Sequence, residues 1–513
     1  MKIFKSEQVS EIDAYTIEHE PVKSIDLMER AANAFVSWFT RHIDNAGNVY
    51  LFSGPGNNGG DGMAVARLLS ERNYRVKAFL LRFTKKLSGD CEENIKRLKA
   101  AGKDLYGELT EDSDLPQPGE KDVIIDAIFG SGLSRPVEGF PASVVHLINS
   151  SGATTVSIDI PSGLYGEDNR DNEAENIVKA DYTVTFQFPF LSFFFADNAK
   201  YTGHWTAVPI GLHPKIIEEK STPYTALDMS DVRPLLKSRS KYSHKGTYGH
   251  ALMIAGSYGM MGASILTTHA CMRTGCGLVT AHVPRLGYAI IQTALPEALV
   301  NIDQSDIHFT EAPDLSSFTA VGIGPGLARR SNTEKGFCEL LKNMHSPMVI
   351  DADGLNILSA NPDWMDKVPE HSILTPHPGE FDRLAGESQT FYERHLKQLQ
   401  LAKRYKIILV LKGANTIVAA PDGRSWINTT GNPGMATGGS GDVLTGMLVS
   451  LLAQGYDPIE AAVAGVYLHG LAGDLALNTE SEESLLAGDI INQIGNAFKK
   501  VKNFEKPSQP LFF

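Results

Sequence analysis

Cysteine is scarce: Cys91, Cys271, Cys276 and Cys338 are the only four in 513 residues, and none forms a C-x-x-C pair. Few thiols in a long chain point to reduced cysteines and a cytoplasmic setting. Positive charge is short as well. The 47 Lys and Arg are outnumbered by 60 Asp and Glu, a formal charge of −13, which argues against the basic footprint of a nucleic-acid binder. An anionic small molecule must then be held locally, by backbone N–H groups and helix N-termini. Long apolar runs are missing too. A membrane-spanning helix needs ~18 or more apolar residues, whereas FPFLSFFFA at 188–196 is short and holds a proline; it reads as strand or interface surface. The opening MKIFKSEQVSEIDAYTIEHE has no apolar h-region, so no signal peptide is expected.

What the chain does have is length for two or three domains and a 42% hydrophobic content that can fill an ordinary core in each. Apolar strand-like runs alternate with helical patterns: VYLFSG (49–54), RVKAFLL (75–81), DVIIDAIFG (122–130), TTVSIDIPSG (154–163) and DYTVTF (181–186), with helices from Asp61 and over 90–101. Continuous apolar strands alternating with helices predict a parallel sheet covered on both faces. Ligands gather at the carboxyl ends of such strands. A polar stretch at 212–225 reads as a linker, after which a second alternating series starts at GHALMIAGS (249–257). The expected fold is therefore α/β: an N-terminal Rossmann-like αβα domain over 1–215 and a second αβα domain over 224–503.

GPGNNGGDG (54–62) matches G-x-G-x-x-G through Gly54, Gly56 and Gly59. A dinucleotide-binding unit wants a carboxylate at the end of the next strand, and that strand ends in Arg82 instead. Asp61 would cap the helix, yet its charge would repel a phosphate in direct contact. A Gly-rich turn with a capping aspartate and a loop for a polar ligand or cation both fit this stretch. Asp126 and Asp159 end two further apolar strands. With Asn58 and Ser162 they make an oxygen-rich cluster of the kind hard cations prefer. GSGLSRP adds small residues for close backbone approach, and Arg135 a phosphate-pairing fork.

GPGNNGGDG, DAIFGSGLSRPVEG (126–139) and SIDIPSGL (157–164), in this order, resemble the NAD(P)H-hydrate epimerase family over roughly residues 1–215. The resemblance implies that Asn57, Asn58, Gly59, Gly60 and Asp61, the run Gly130, Ser131, Gly132, Leu133, Ser134, Arg135 and Pro136, and Asp159 touch a hydrated nicotinamide nucleotide as substrate. It also implies potassium on Asn58, Asp126 and Ser162, and leaves Asp159 as the candidate acid–base group. One departure is Phe190 in FQFPFLS, where many relatives are expected to carry lysine.

TTGNPGMATGGSGDVLTGMLVSLL (429–452) is the most informative stretch of the second half. Gly438, Gly439, Ser440 and Gly441 lead to Asp442, where an apolar helix begins. Successive N–H groups at a helix N-terminus form an anion hole. An aspartate at its mouth can take a hydroxyl proton while that oxygen attacks a phosphoryl group. The pattern resembles the ribokinase-like superfamily, with KGANT (412–416) and DADGLN (351–356) in support. TPHPGEFDRL (375–384), GSYGMMGAS (256–264) and GIGPG (322–326) narrow the resemblance to ADP- or ATP-dependent NAD(P)H-hydrate dehydratases. By matching motifs, Ala263, Gly326 and His377 would contact the hydrate, with Asp442 as catalytic base. Lys412, Gly413, Ala414, Asn415 and Thr416, with the glycine loop, would contact ADP or ATP carrying magnesium.

Together the resemblances imply one repair activity: epimerisation of hydrated NADH and NADPH, then dehydration of the S epimer at the expense of ADP or ATP. A vitamin or sugar kinase fused to a nucleotide-binding or protein-interaction module is the alternative. A homo-oligomer is expected, with no nucleic-acid or membrane partner.

Overall fold

In this computed structural model, which describes residues 1–43 and 47–505, the chain forms two compact units. One is Lys2–Thr222 with the short Thr390–Tyr392; the other is Pro223–Gln389 with residues 393–505. Both are α/β with largely parallel sheets, the class expected from the strand–helix alternation. No helix among the described residues is long and apolar enough to cross a membrane, and all four cysteines are free.

The first unit holds a seven-stranded sheet. Its strands are β1 (Asn48–Ser53), β2 (Arg75–Leu81), β3 (Tyr106–Leu109), β4 (Val123–Ala127), β5 (Thr154–Ile158), β6 (Tyr182–Phe186) and β7 (His204–Val208). They run parallel in the order β3-β2-β1-β4-β5-β6-β7. The period-two alternation of strands sends Val49 and Leu51 to one face and Phe52 to the other. The first face packs under α2 (Ser24–His42), α3 (Asn57–Glu71) and α4 (Gly89–Ala101), and the second under α5 (Gly139–Ser150). Strand order reverses between β1 and β4, the switch point where open α/β sheets bind ligands. The N-terminal helix α1 (Ser6–His19) joins a satellite core through Ile12, with Leu27, Phe188 and Leu212.

Two sequence expectations change here. FPFLSFFFA is neither strand nor surface: Leu191–Phe194 is a 3-10 turn, and Phe190 is 3% exposed in a buried cluster with Leu164, Phe193 and Tyr201. Its aromatics are numerous enough to make their own core. The stretch 212–225 is not a free linker either, since Leu212 is buried, Pro214–Glu219 is a helix and Tyr224–Ala226 a strand. Its polarity reflects an exposed helix face.

The second unit adds β8 (Tyr224–Ala226), β9 (His250–Ile254), β10 (Leu278–Val283), β11 (Leu299–Ile302), β12 (Ala320–Ile323), β13 (Val349–Ile350), β14 (Ile373–Leu374), β15 (Ile408–Leu411), β16 (Ile417–Ala419) and β17 (Ser425–Ile427). The order is β8-β17-β16-β15-β14-β13-β12-β9-β10-β11, antiparallel only where β16 meets β15 and β17. One face is covered by α6 (Met261–Arg273), α10 (Ser440–Ala453), α11 (Pro458–Ala476) and α12 (Ala487–Lys502), the other by α7 (Ser331–Asn343), α8 (Asp353–Ala360) and α9 (Pro378–Ala385). Every residue of α10 from Val443 to Ala453 is buried, as a helix apolar on all sides must be. Gly446 permits this: a Cβ there would sit 2.1 Å from the Thr267 carbonyl oxygen on α6.

Candidate active sites

The glycine run after β1 does two separate jobs. A Cβ on Gly54 would lie 2.0 Å from the Ile128 carbonyl oxygen, and one on Gly59 would lie 1.8 Å from that of Gly54. These two glycines let α3 close against the loop after β4. A Cβ on Gly56 or Gly132 would meet nothing within 4 Å; packing does not require glycine there. The helix starts at Asn57 with Gly56 as its cap, so Asp61 lies in the second turn and is not the cap. Gly59 and Gly60 complete the first turn after Asn57 and Asn58, and the bare backbone of Gly59 is what fits against Gly54.

β4 and β5 are neighbours, with Asp126 opposite Ser157. Asp126 is fully buried. It accepts hydrogen bonds from Ser162 Oγ at 2.5 Å, from the Ser162 N–H at 2.8 Å and from Ser157 Oγ at 2.8 Å. Burial still raises its pKa against those bonds. Ser162 Oγ also accepts the Phe129 N–H at 2.8 Å, tying the two loops together. Asn58 is 9% exposed, and neither its amide oxygen nor its nitrogen has a partner. A Cβ on Gly130 would come within 3.1 Å of Asn58 and 3.4 Å of the Asp159 carboxyl, so Gly130 keeps those two side chains close. Asp159 has φ of +66°. Holding a non-glycine residue there costs on the order of 1–3 kcal/mol, and such strain clusters at functional sites. Its carboxyl accepts the Ser131 N–H at 3.3 Å.

Over these loops lies a cavity of about 680 Å³, the size of a small-molecule site. Asn57, Asn58, Asp61, Asp159 and the run Gly130–Leu133 line it. Gly59 and Gly60 are buried in α3 instead, while Ser134 and Arg135 are exposed and, with Pro136, do not line it. Asp126 and Ser162 are fully buried and do not line it. Phe190 does not line the cavity either, since its ring packs into the apolar cluster described above. Burial pushes up the carboxyls of Asp61 and Asp159.

In the second unit the loop Gly438–Gly441 turns into α10, with Gly439 at φ +92° as the cap and Asp442 in the first turn. Lys412, at the end of β15, reaches Asp351 Oδ1 at 2.8 Å, and Thr445 Oγ1 on α10 donates to Asp351 Oδ2 at 2.7 Å. A Cβ on Gly441 would be 3.3 Å from Lys412 Nζ, so the lysine lies directly against the glycine loop. Burial works against the Lys412 charge, but Asp351 and Glu380 hold its pKa above the ordinary value. Asp442 is pushed up to about 7, by burial first and then by the charge of Asp351. That value suits a base working near neutral pH. Gly413 and Thr416 close their own turn, the Gly413 N–H donating to Thr416 Oγ1 at 3.3 Å, and Ala414 at its tip is exposed. Asn415 lies between them, half-buried. Gly326, at φ +63°, approaches the start of α6: its Cβ would be 3.0 Å from that of Ala263. His377 caps α9 by accepting the Gly379 N–H at 3.1 Å, while its side chain remains half exposed.

Residues 251–496 match the family model of NAD(P)H-hydrate dehydratases, and residues 24–191 that of the YjeF-related protein N-terminus. The bifunctional NAD(P)H-hydrate repair enzyme Nnr of Moorella thermoacetica is 36% identical over 509 residues, covering 96% of both chains. That of Thermofilum pendens is 35% identical over 98% of this chain and 97% of its own. The chain belongs to the family of bifunctional NAD(P)H-hydrate repair enzymes. Among solved structures, the ADP/ATP-dependent NAD(P)H-hydrate dehydratase of Bacillus subtilis co-crystallised with ATP and magnesium is 32% identical. It covers 54% of this chain and 98% of its own, with a TM-score of 0.47.

In this member of the repair-enzyme family, several site groups escaped the motif reading. Asp351 was legible only as part of DADGLN, and its role as the hub between Lys412 and Thr445 depends on three separated elements. His469, buried on α11 with its pKa lowered to about 4 by burial, lies 3.0 Å from the Ser440 carbonyl under the glycine loop. Asp13 on α1 lines the first cavity. Its one sequence signal is a carboxylate four residues from both Val9 and Ile17, which places it on an otherwise apolar helical stripe.

Proposed function

We infer that this chain repairs hydrated NADH and NADPH. The region 1–215 interconverts the R and S epimers of the hydrate, and the region 224–503 dehydrates the S epimer with ADP or ATP. The observation that carries the reading is the placement of Asp442, with its raised carboxyl, in the first turn of α10 beside Lys412. Water is a poor leaving group from C6 of the reduced ring. Asp442 takes the proton of the C6 hydroxyl as that oxygen attacks the terminal phosphoryl group, and Lys412 and the loop N–H groups stabilise the charge that develops. The nucleotide leaves one phosphate shorter, as AMP or ADP. The C6–O bond then breaks with its electron pair on the departing phosphate, pushed by the N1 lone pair, and loss of a C5 proton to water forms C5=C6 and returns the conjugated ring. Ala263, Gly326 and His377 would hold the hydrate, and Lys412–Thr416 with Gly438–Gly441 the nucleotide, its magnesium carried on the phosphates. In the other region Asn57, Asn58, Asp61, Gly130–Leu133 and Asp159 would hold the hydrate, with Asp159 as an acid–base group. Full-length protein given the mixed epimers and ADP or ATP should restore the near-UV absorbance of NADH for both epimers. Accumulation of a phosphorylated product without that absorbance would make it a small-molecule kinase instead.

Potassium belongs to the same reading. Asn58 offers a buried amide oxygen with no partner, and Asp126 and Ser162, hydrogen-bonded to each other, supply a carboxylate and a hydroxyl, so the donor set is oxygen only and suits a hard monovalent cation. Asn58, Asp126 and Ser162 would hold the ion, whose positive charge offsets the carboxyls facing an anionic substrate. Epimer exchange should fall after dialysis into a bulky organic-cation buffer and return with potassium, which should also raise the melting temperature. A rate and melting temperature indifferent to potassium would remove the ion from the mechanism.

A further inference from the structure

Three carboxyls, those of Asp13, Asp61 and Asp159, line the cavity of the first unit, and no Lys, Arg or His does so among the described residues. Asp61 and Asp159 belong to the sequence motifs. Asp13 comes from α1, outside all of them. Its Oδ1 is buried without any hydrogen-bond partner. A buried polar atom left unpaired costs on the order of 1–3 kcal/mol, more if charged, and this one belongs to a residue lining an open cavity. Asn58 lines the same cavity, 9% exposed, and its amide nitrogen, which a cation cannot satisfy, is unpartnered as well. Val9, Ile17, Leu27 and Met28 are among the apolar residues that line the same cavity.

We propose that Asp13 is the second acid–base group of epimer exchange, acting on the bound hydrate together with Asp159. The inference rests on the epimerase reading above and assigns the group that reading lacks. Desolvation first, then the charge of Asp159, pushes the Asp13 carboxyl up to about 7. Two carboxyls facing one cavity do not both ionise readily, and sharing a proton divides them into an acid and a base. Asp159, supported by the Ser131 N–H, carries the negative charge, and Asp13 carries the proton.

The hydrate is a hemiaminal, with C6 bonded to both N1 and a hydroxyl oxygen. Asp159 takes the hydroxyl proton, the O–H electron pair forms a C6=O bond, and the C6–N1 pair passes to N1, which takes the proton of Asp13. The aldehyde turns about C5–C6. The steps then reverse: Asp13 removes the proton from N1 as N1 attacks the opposite face, and Asp159 returns its proton to the oxygen. Nothing is oxidised or reduced, and both carboxyls end as they began.

The test uses the full-length protein and the separated R and S hydrates of NADH. Asp13→Asn should lower kcat for exchange by ~10²-fold or more while leaving KM for the hydrate close to wild type. Dehydration of supplied S hydrate should be unchanged, so the mixed epimers should stop reacting when the S form is spent. Asp13→Glu should recover part of the rate. In the wild type, exchange should fall as pH rises above about 7, where Asp13 loses its proton. Asp61 on α3 and Asp159 are the other ionisable groups facing it, and α2 presents Ser24, Leu27, Met28 and Ala31. An Asp13→Asn enzyme that keeps most of the exchange rate, a rise in KM alone, or a flat wild-type profile through neutral pH each overturns the assignment. A wild type that dehydrates S hydrate but never exchanges epimers defeats the epimerase reading itself. If Asp13→Asn fails to fold, the wild-type profile decides.

Discussion

Asp442→Asn should abolish most dehydration, by ~10²–10⁴-fold, the range for loss of a positioned acid–base group. Epimer exchange should be untouched. The pH dependence follows from the direction of the shift. As a base, Asp442 must be ionised, so dehydration should rise with pH through about 7. The same shift has a consequence for stability. The folded state binds a proton more tightly than the unfolded chain, so ionised Asp442 destabilises the fold progressively as pH rises from the ordinary carboxylate range to about 7. The neutral isostere removes that cost. Asp442→Asn should therefore melt above wild type in mildly alkaline buffer, and the gap should shrink as the buffer is made acidic. Melting curves and S-hydrate turnover on one preparation check both halves. A variant that keeps most of its turnover rules the base role out.

Lys412→Met should damage both stability and nucleotide use. The Asp351 side chain is 2% exposed and that of Lys412 21%. Removing one member of a buried pair leaves the other charge uncompensated and costs about 3–5 kcal/mol; the partial exposure of Lys412 points to the lower end. KM for ADP or ATP should rise sharply. Because Lys412 lowers the pKa of Asp442, the rising limb of the pH profile should also move to higher pH. Adding Asp351→Asn to the variant should restore much of the stability without restoring nucleotide affinity, a coupling that a double-mutant cycle reads. Unchanged melting in Lys412→Met would show that Thr445 alone satisfies Asp351.

The strands were legible because each buried run is continuous and bounded by turn residues. RVKAFLL forms a strand over its full length, Arg75–Leu81. Helix starts were less legible where glycine replaces the usual polar cap. The α3 start at Asn57 falls inside GPGNNGGDG, and only the approach of Gly59 to the Gly54 carbonyl explains why these residues turn helical. FPFLSFFFA misled because hydrophobicity fixes burial and not backbone shape; Leu191–Phe194 is buried as a 3-10 turn.

The sequence by itself determined two α/β units and the motif residues proposed to carry the chemistry, because apolar period, glycine spacing and family motifs are properties of contiguous stretches. The tertiary structure alone decided which residues meet. It set Asp13 from α1 in one cavity with Asp159 from the turn after β5. It joined Lys412, Asp351 and Thr445 across β15, the turn after β13, and α10. It also separated Ser134, Arg135 and Pro136 from the cavity that the rest of their motif lines. The raised carboxyls of Asp13 and Asp442 follow from burial and from neighbouring charge. Both depend on distances between residues far apart in the chain, and spacing along the sequence holds no record of those distances.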